Sequence, residues 1–171
     1  MALFTEARPS LDRYLMALAE VAAKRTTCIR RGVGCVLADA GGRVLAIGYN
    51  GVASKMPHCN QPTHPQTCKA LATGQIECAD VPFYGNACAG HNLPPGQDSC
   101  EAVHAEQNAL VQCRDPDAVA AAYVTLSPCK ACAKLLLGTG CRRIVFLEEH
   151  VDPFSRELWE KAGRAWQKLG A

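Results

Sequence analysis

Aromatic residues are scarce in this 171-residue chain (6%), and 18 basic against 16 acidic residues leave a formal net charge of only +2. Both shortages argue against a nucleic-acid partner, because single strands are bound in basic grooves on aromatic stacking platforms. No apolar run approaches the ~20 residues that a membrane span needs. The opening Met1-Ala2-Leu3-Phe4-Thr5-Glu6 lacks the basic stretch and apolar core of a secretory leader. The expectation is a cytoplasmic protein with a small-molecule partner, no nucleic acid and no membrane. Internal repeats and low-complexity tracts are absent, and 171 residues suit one full-sized core, so 1–171 is read as a single domain.

Cysteine, by contrast, is abundant. Eleven is many for this length, and an odd number cannot all pair with one another. In a reducing compartment such a count points to metal ligation before disulfides. His58, Cys59, His64, Cys68, Cys78, Cys88, His91 and Cys100 crowd a stretch that also holds Pro57, Pro62, Pro65, Pro82, Pro94 and Pro95. Such composition breaks regular structure, so about 52–100 is expected to be a long, looping insertion that needs a staple. Cys35, Cys113 and Cys141 fall on apolar elements and read as small core residues.

Outside the insertion the periodicity is that of an α/β fold. Ser10 is placed to cap a helix in which Leu11, Tyr14, Leu15, Leu18 and Val21-Ala22 recur at helical spacing. Apolar runs from Val33 and from Val44, split by Asp39-Ala40-Gly41-Gly42, predict an antiparallel hairpin. A helix is expected from His104 to about Cys113 with Leu110 and Val111 inward. It is followed by a strand ending at Leu126, a helix from Cys129 to Leu137 and a strand from Arg143. Strand, helix, strand at this spacing implies a parallel crossover with helices packed on a sheet. A last helix begins near Pro153, and by propensity Arg164 to Leu169 continue it unless Ala162-Gly163 is a stop.

Two segments carry the chemistry: His104-Ala105-Glu106 and Pro128-Cys129-Lys130-Ala131-Cys132. A catalytic zinc takes three protein ligands and keeps one position for water, which His104, Cys129 and Cys132 satisfy. Water on such an ion falls from a pKa of ~15.7 to ~7. Glu106 is left over to move protons as the catalytic acid and base. Alone, Cys-x-x-Cys fits a structural zinc or a redox pair equally well. The joint H-x-E…P-C-x-x-C pattern is that of zinc-dependent nucleobase deaminases. Both segments fall at expected helix N-termini, where unpaired amides and the macrodipole favour thiolates at Cys129 and Cys132.

With Arg25-Thr26-Thr27-Cys28, Val33-Gly34-Cys35, Gly48-Tyr49-Asn50-Gly51, His58-Cys59 and Thr125-Leu126-Ser127-Pro128-Cys129 added to the zinc motifs, the chain resembles the deoxycytidylate (dCMP) deaminase family of the cytidine deaminase-like superfamily. The likeness runs from about Tyr14 to Gly163. It implies a three-layer α/β/α fold with a central mixed sheet of about five strands, the last being Arg164 to Leu169, and a zinc-stapled insertion. The implied reaction is hydrolytic deamination of dCMP, or of a 5-substituted dCMP, to the uridylate and ammonia. A homo-oligomer, commonly a hexamer, is implied too, in the host cytoplasm if the chain is of phage origin.

The same resemblance places cytosine so that the backbone around Ala105 and Ser127 reads its edge. Asn50 is suited to a sugar hydroxyl, or is simply a turn residue beside Gly51. Arg30 and Arg31 are candidates for the 5′-phosphate, or solvated surface charges. The phage and bacterial branch implies a second, structural zinc, for which Cys28 and Cys59 match two ligands; Cys100 with Cys88 or His91 would complete it. His150 stands where the family has a tyrosine, which alters a base or sugar contact. Val52-Ala53-Ser54-Lys55-Met56 replaces the family's glycines and proline, so regulation by dCTP and dTTP does not carry over. Two other readings stay open: a deaminase of another cytosine or adenine nucleoside or nucleotide, and a zinc-stapled binding module without catalysis.

Overall fold

The computed structural model describes residues 8–28, 31–56, 68–70, 76–78, 102–150 and 152–170. Ser10 caps helix α1 (Leu11–Ala23) by accepting the Arg13 amide. Strands β1 (Gly34–Ala38) and β2 (Val44–Tyr49) form the expected antiparallel hairpin. Within the expected insertion a short antiparallel pair, β3 (Cys68–Ala70) and β4 (Ile76–Cys78), stands where no regular structure was predicted, pairing backbone groups that would otherwise need other partners. Then come α2 (Ala105–Gln112), a 3₁₀ turn at Pro116–Ala118, β5 (Ala121–Leu126), α3 (Lys130–Leu137), β6 (Arg143–Glu148), α4 (Pro153–Lys161) and β7 (Ala165–Lys168).

The main sheet has five strands in the order β2-β1-β5-β6-β7. β1 is antiparallel to both neighbours, while β5, β6 and β7 run parallel, joined by crossovers through α3 and α4. Alternation along the strands splits the core in two. Cys35, Leu37, Ala122, Val124, Ile144 and Phe146 face the layer of α2, α3 and α4, and Val36, Ala38, Tyr123 and Val145 face α1. This is the expected three-layer α/β/α architecture with a mixed sheet. Cys35, Cys113 and Cys141 are buried as expected of core thiols. The final segment is strand, not helix, because Gly163 adopts φ +69°, the left-handed stop that ends α4.

One inward assignment was wrong. Val111 is 84% exposed, and α2 packs through Ala105, Glu106 and Ala109 instead. The reason lies on β2, where a Cβ at Gly48 would collide with the Ala105 carbonyl and the Ala109 amide nitrogen. Helix backbone therefore lies directly on strand backbone, which selects small residues on the buried face. Asn108 and Gln112, one turn apart, donate to the Tyr49 and Ile47 carbonyls and cover part of the β2 edge.

Across the α1 layer, the Tyr123 hydroxyl donates to Asp12 Oδ1 at 2.7 Å, and Arg143 pairs with the other carboxylate oxygen. Burial pushes the Asp12 carboxyl up, but the bonds from Tyr123 and Arg143 and the Arg143 charge outweigh it and hold it below the usual 3.8. A carboxylate lowered on folding stabilises above its ordinary range, and that contribution fades as pH falls through the lowered value. Asp12→Asn is expected to cost about 1–2 kcal/mol near neutral pH. The gap to wild type should close in denaturant curves taken below pH ~4. Gly48→Ala is expected to lift α2 from β2 and lower the unfolding free energy by about 3 kcal/mol, read from the same curves.

Candidate zinc centre and pocket

β2, β5 and β6 point the same way, so their C-terminal ends meet at one edge of the sheet. Asn50, Ser127 and His150 follow those ends, and Val33 precedes β1 there. Crevices beyond the carboxyl ends of strands are where α/β sheets bind ligands. A cavity of about 120 Å³ lies at this edge, lined by Val33, Asn50 and Leu126, by Ser127 and His150, and by His104, Ala105, Glu106 and Cys129.

His104 and Cys129 are the N-caps of α2 and α3. A two-way backbone bridge between Gly51 and Val103 anchors the residue before His104, and Gln107 Oε1 accepts the His104 amide. His104 Nδ1 lies 3.5 Å from Cys129 Sγ and 3.4 Å from Cys132 Sγ, with all three donor atoms within 4.8 Å of one another. Tetrahedral zinc with bonds of about 2.1 Å to nitrogen and 2.3 Å to sulfur sets such atoms about 3.6 Å apart, so the donor set fits the ion.

The two thiols shift in opposite directions because each is hydrogen-bonded to the other. The hydrogen bond from Cys132, helped by His104, pulls Cys129 down to about 3 against its burial. The same bond, with burial and Glu106, pushes Cys132 well above the ordinary thiol range. As ligands of a metal ion both sulfurs would be anionic.

Glu106 is 3% exposed and shares the cavity with His104 and Cys129. Burial raises its carboxyl to about 7, against a backbone hydrogen bond and the pull of His104. A carboxyl poised there can both take and return a proton at neutral pH.

The first-turn amide of Ala105 has no partner within its own helix, as at any helix start. Ser127 is 2% exposed; its amide bonds the Glu148 carbonyl and its Oγ accepts the His150 amide. Asn50 Oδ1 accepts from Val33 and Thr26, and its Nδ2 donates to the Arg31 carbonyl, so the amide first of all holds the segment entering β1. A second Nδ2 hydrogen remains beyond these bonds. Arg31 does not line the cavity; its exposed guanidinium pairs with Glu148. Cys28 is half-buried, its amide bonded to Thr26 Oγ1. Arg30, Cys59, Cys88, His91 and Cys100 lie outside the described residues.

The apolar walls Val33 and Leu126 were not anticipated as site residues. Nor was Asp152, whose Oδ2 accepts the Lys130 amide at 3.1 Å. No spacing rule links Asp152 to the cysteines, since a helix, a strand and two loops lie between them.

The family model for the cytidine and deoxycytidylate deaminase zinc-binding region matches residues 9–148. The chain belongs to that family. Among deaminase relatives, the deoxycytidylate deaminase of Mycobacterium phage D29 is 35% identical over 143 residues, 83% of this chain and 98% of the phage protein. The Schizosaccharomyces pombe deoxycytidylate deaminase is 31% identical over 91% of this chain, which spans 43% of the yeast protein's length. In fold the chain is similar to the cyanophage S-TIM5 dCMP deaminase, crystallised with dCMP and dUMP, at a TM-score of 0.65 and 22% identity over 96% of this chain and all of that one. A zinc-binding region is thus common to this family and to the His104, Cys129 and Cys132 cluster. Among the described residues no helix is long and apolar enough to cross a membrane.

Replacing one ligand tests the centre directly. Cys132→Ser or His104→Ala is expected to lower bound zinc by about one ion per chain, read by elemental analysis of the purified protein, because a structural or catalytic zinc rarely survives on two protein donors.

Proposed function

We propose that the protein converts dCMP, or a 5-substituted dCMP, and water to the corresponding deoxyuridylate and ammonia. The observation that carries this reading is a buried carboxylate, Glu106, sharing one cavity with His104 and Cys129, two members of a three-donor set completed by Cys132. His104, Cys129 and Cys132 would hold zinc, which when bound supplies a Lewis acid that makes water acidic enough to lose a proton at neutral pH. Glu106 takes one proton of the attacking water and passes it to the ring nitrogen next to the amine-bearing carbon, then takes the second from the newly added hydroxyl and delivers it to the departing amine, which leaves as ammonia. The naming of the phage D29 and fission-yeast relatives as deoxycytidylate deaminases supports the choice of substrate.

Around the base, the Ala105 amide and the Ser127 carbonyl are suited to read the pyrimidine edge, since the Ser127 amide is already spent on Glu148. Asn50 offers its remaining Nδ2 hydrogen to a sugar oxygen, and His150 stands at the same rim. Arg30 and Arg31 are assigned to the 5′-phosphate; for Arg31 this means exchanging Glu148 for a more highly charged anion. Cys28 with Cys59, Cys100 and either Cys88 or His91 is assigned to a structural zinc within a single 1–171 domain, which would act as a cytoplasmic homo-oligomer.

Glu106→Ala is expected to reduce turnover by about 10³-fold while zinc content stays at the wild-type level. Ammonia release from a panel of dCMP, CMP, deoxycytidine and 5-methyl-dCMP then tests the substrate. Activity on the nucleoside alone would reject phosphate recognition, and undiminished turnover by Glu106→Ala would reject the proton-transfer assignment.

A further inference from the structure

Helix α3 brings both thiols to the centre, and a carboxylate outside the cavity fastens its first residue. Asp152 Oδ2 accepts the Lys130 amide at 3.1 Å, while Oδ1 accepts the Phe154 amide at 3.0 Å and so caps α4. Lys130 directly follows Cys129, and its amide is one of those a helix start leaves without an internal partner. Two residues before Cys129, Ser127 is tied to the same 148–152 segment by its amide to the Glu148 carbonyl and its Oγ to the His150 amide, both at 2.8 Å. Cys129 therefore hangs between two fixed points on one segment. At the other end of α3, the Arg164 guanidinium donates to the carbonyls of Leu136, Leu137, Thr139 and Cys141. A negative group at the helix start and a positive one at its end complement the macrodipole.

We propose that Asp152 is a positioning residue for the metal centre: by holding the Lys130 amide it keeps the Cys129 thiol at coordinating distance from His104 and Cys132. The inference rests on the zinc reading of those three residues. Partners that orient a metal ligand without touching the metal are typically worth 10–100-fold in affinity. In Asp152 one side chain performs two tasks, capping α4 and latching α3, and substitution can separate them. Serine is a good N-cap for Phe154, but its single oxygen cannot also serve Lys130. Asparagine caps through its carbonyl and turns an NH₂ toward the Lys130 amide.

The test measures zinc affinity of the full chain by chelator competition, alongside the unfolding midpoint, in wild type, Asp152→Ser, Asp152→Asn, Lys130→Pro and the Asp152→Ser/Lys130→Pro double variant. Cys132→Ser identifies the ion being followed. Asp152→Ser and Asp152→Asn are expected to bind this zinc about tenfold more weakly while unfolding close to wild type. Lys130→Pro removes the donor at the first helical position, where proline is tolerated, and in that background Asp152→Ser should weaken zinc no further. Wild-type zinc affinity in both single Asp152 variants overturns the inference alone, as does an undiminished tenfold loss in the Lys130→Pro background. A wild-type chain with no zinc that Cys132→Ser removes overturns the metal reading and this inference together.

Discussion

Three donor atoms from two segments 25 residues apart must converge within 4.8 Å, and most of the architecture serves that requirement. Two helix N-termini in one layer come together at one end of the sheet. Each is held by hydrogen bonds to a neighbouring segment: the Gly51 to Val103 bridge for α2, and the Ser127 and Lys130 bonds to Glu148, His150 and Asp152 for α3. Since β2, β5 and β6 run in one direction, the loops that supply Asn50, Ser127 and His150 open at the same edge as the ligands.

Electrostatics reinforce the geometry. Adjacent helix starts concentrate partial positive charge, which would repel if left uncompensated. The Cys129 thiolate answers it within the site and the Asp152 carboxylate behind it. Glu106 belongs to the first turn of α2 yet is too deeply buried to behave as an ordinary surface acid. Desolvation, more than any neighbour, sets its proton affinity.

The convergence of His104, Cys129 and Cys132, the hairpin and the parallel crossover were legible in the sequence, because each rests on local spacing or on a residue type with few alternative uses, whereas the last short strand followed from the family resemblance against the helical propensity of its residues. The inward face of α2 was legible only in part. Apolar periodicity points to Leu110, which does pack against the core, and to Val111, which does not, because a helix lying on Gly48 buries alanines, and alanine carries little hydrophobic signal. Asn50 could be recognised as a pocket residue, whereas its bonds to Thr26, Val33 and Arg31 depend on chain segments that only the fold brings together. Asp152 escaped notice for the same reason. Of the proposed structural-zinc ligands, Cys28 alone falls among the described residues.

The absence of a side chain at Gly48 carries a consequence for substitution. Where main chain rests on main chain, no rotamer can relax and no neighbouring substitution can loosen the seat of the ligand-bearing helix. The rim is built differently: His150 and Arg31 sit on exposed loops, where replacement is in general better tolerated. Changes on those loops would leave the helix seat, and with it the placement of His104 and Glu106, intact.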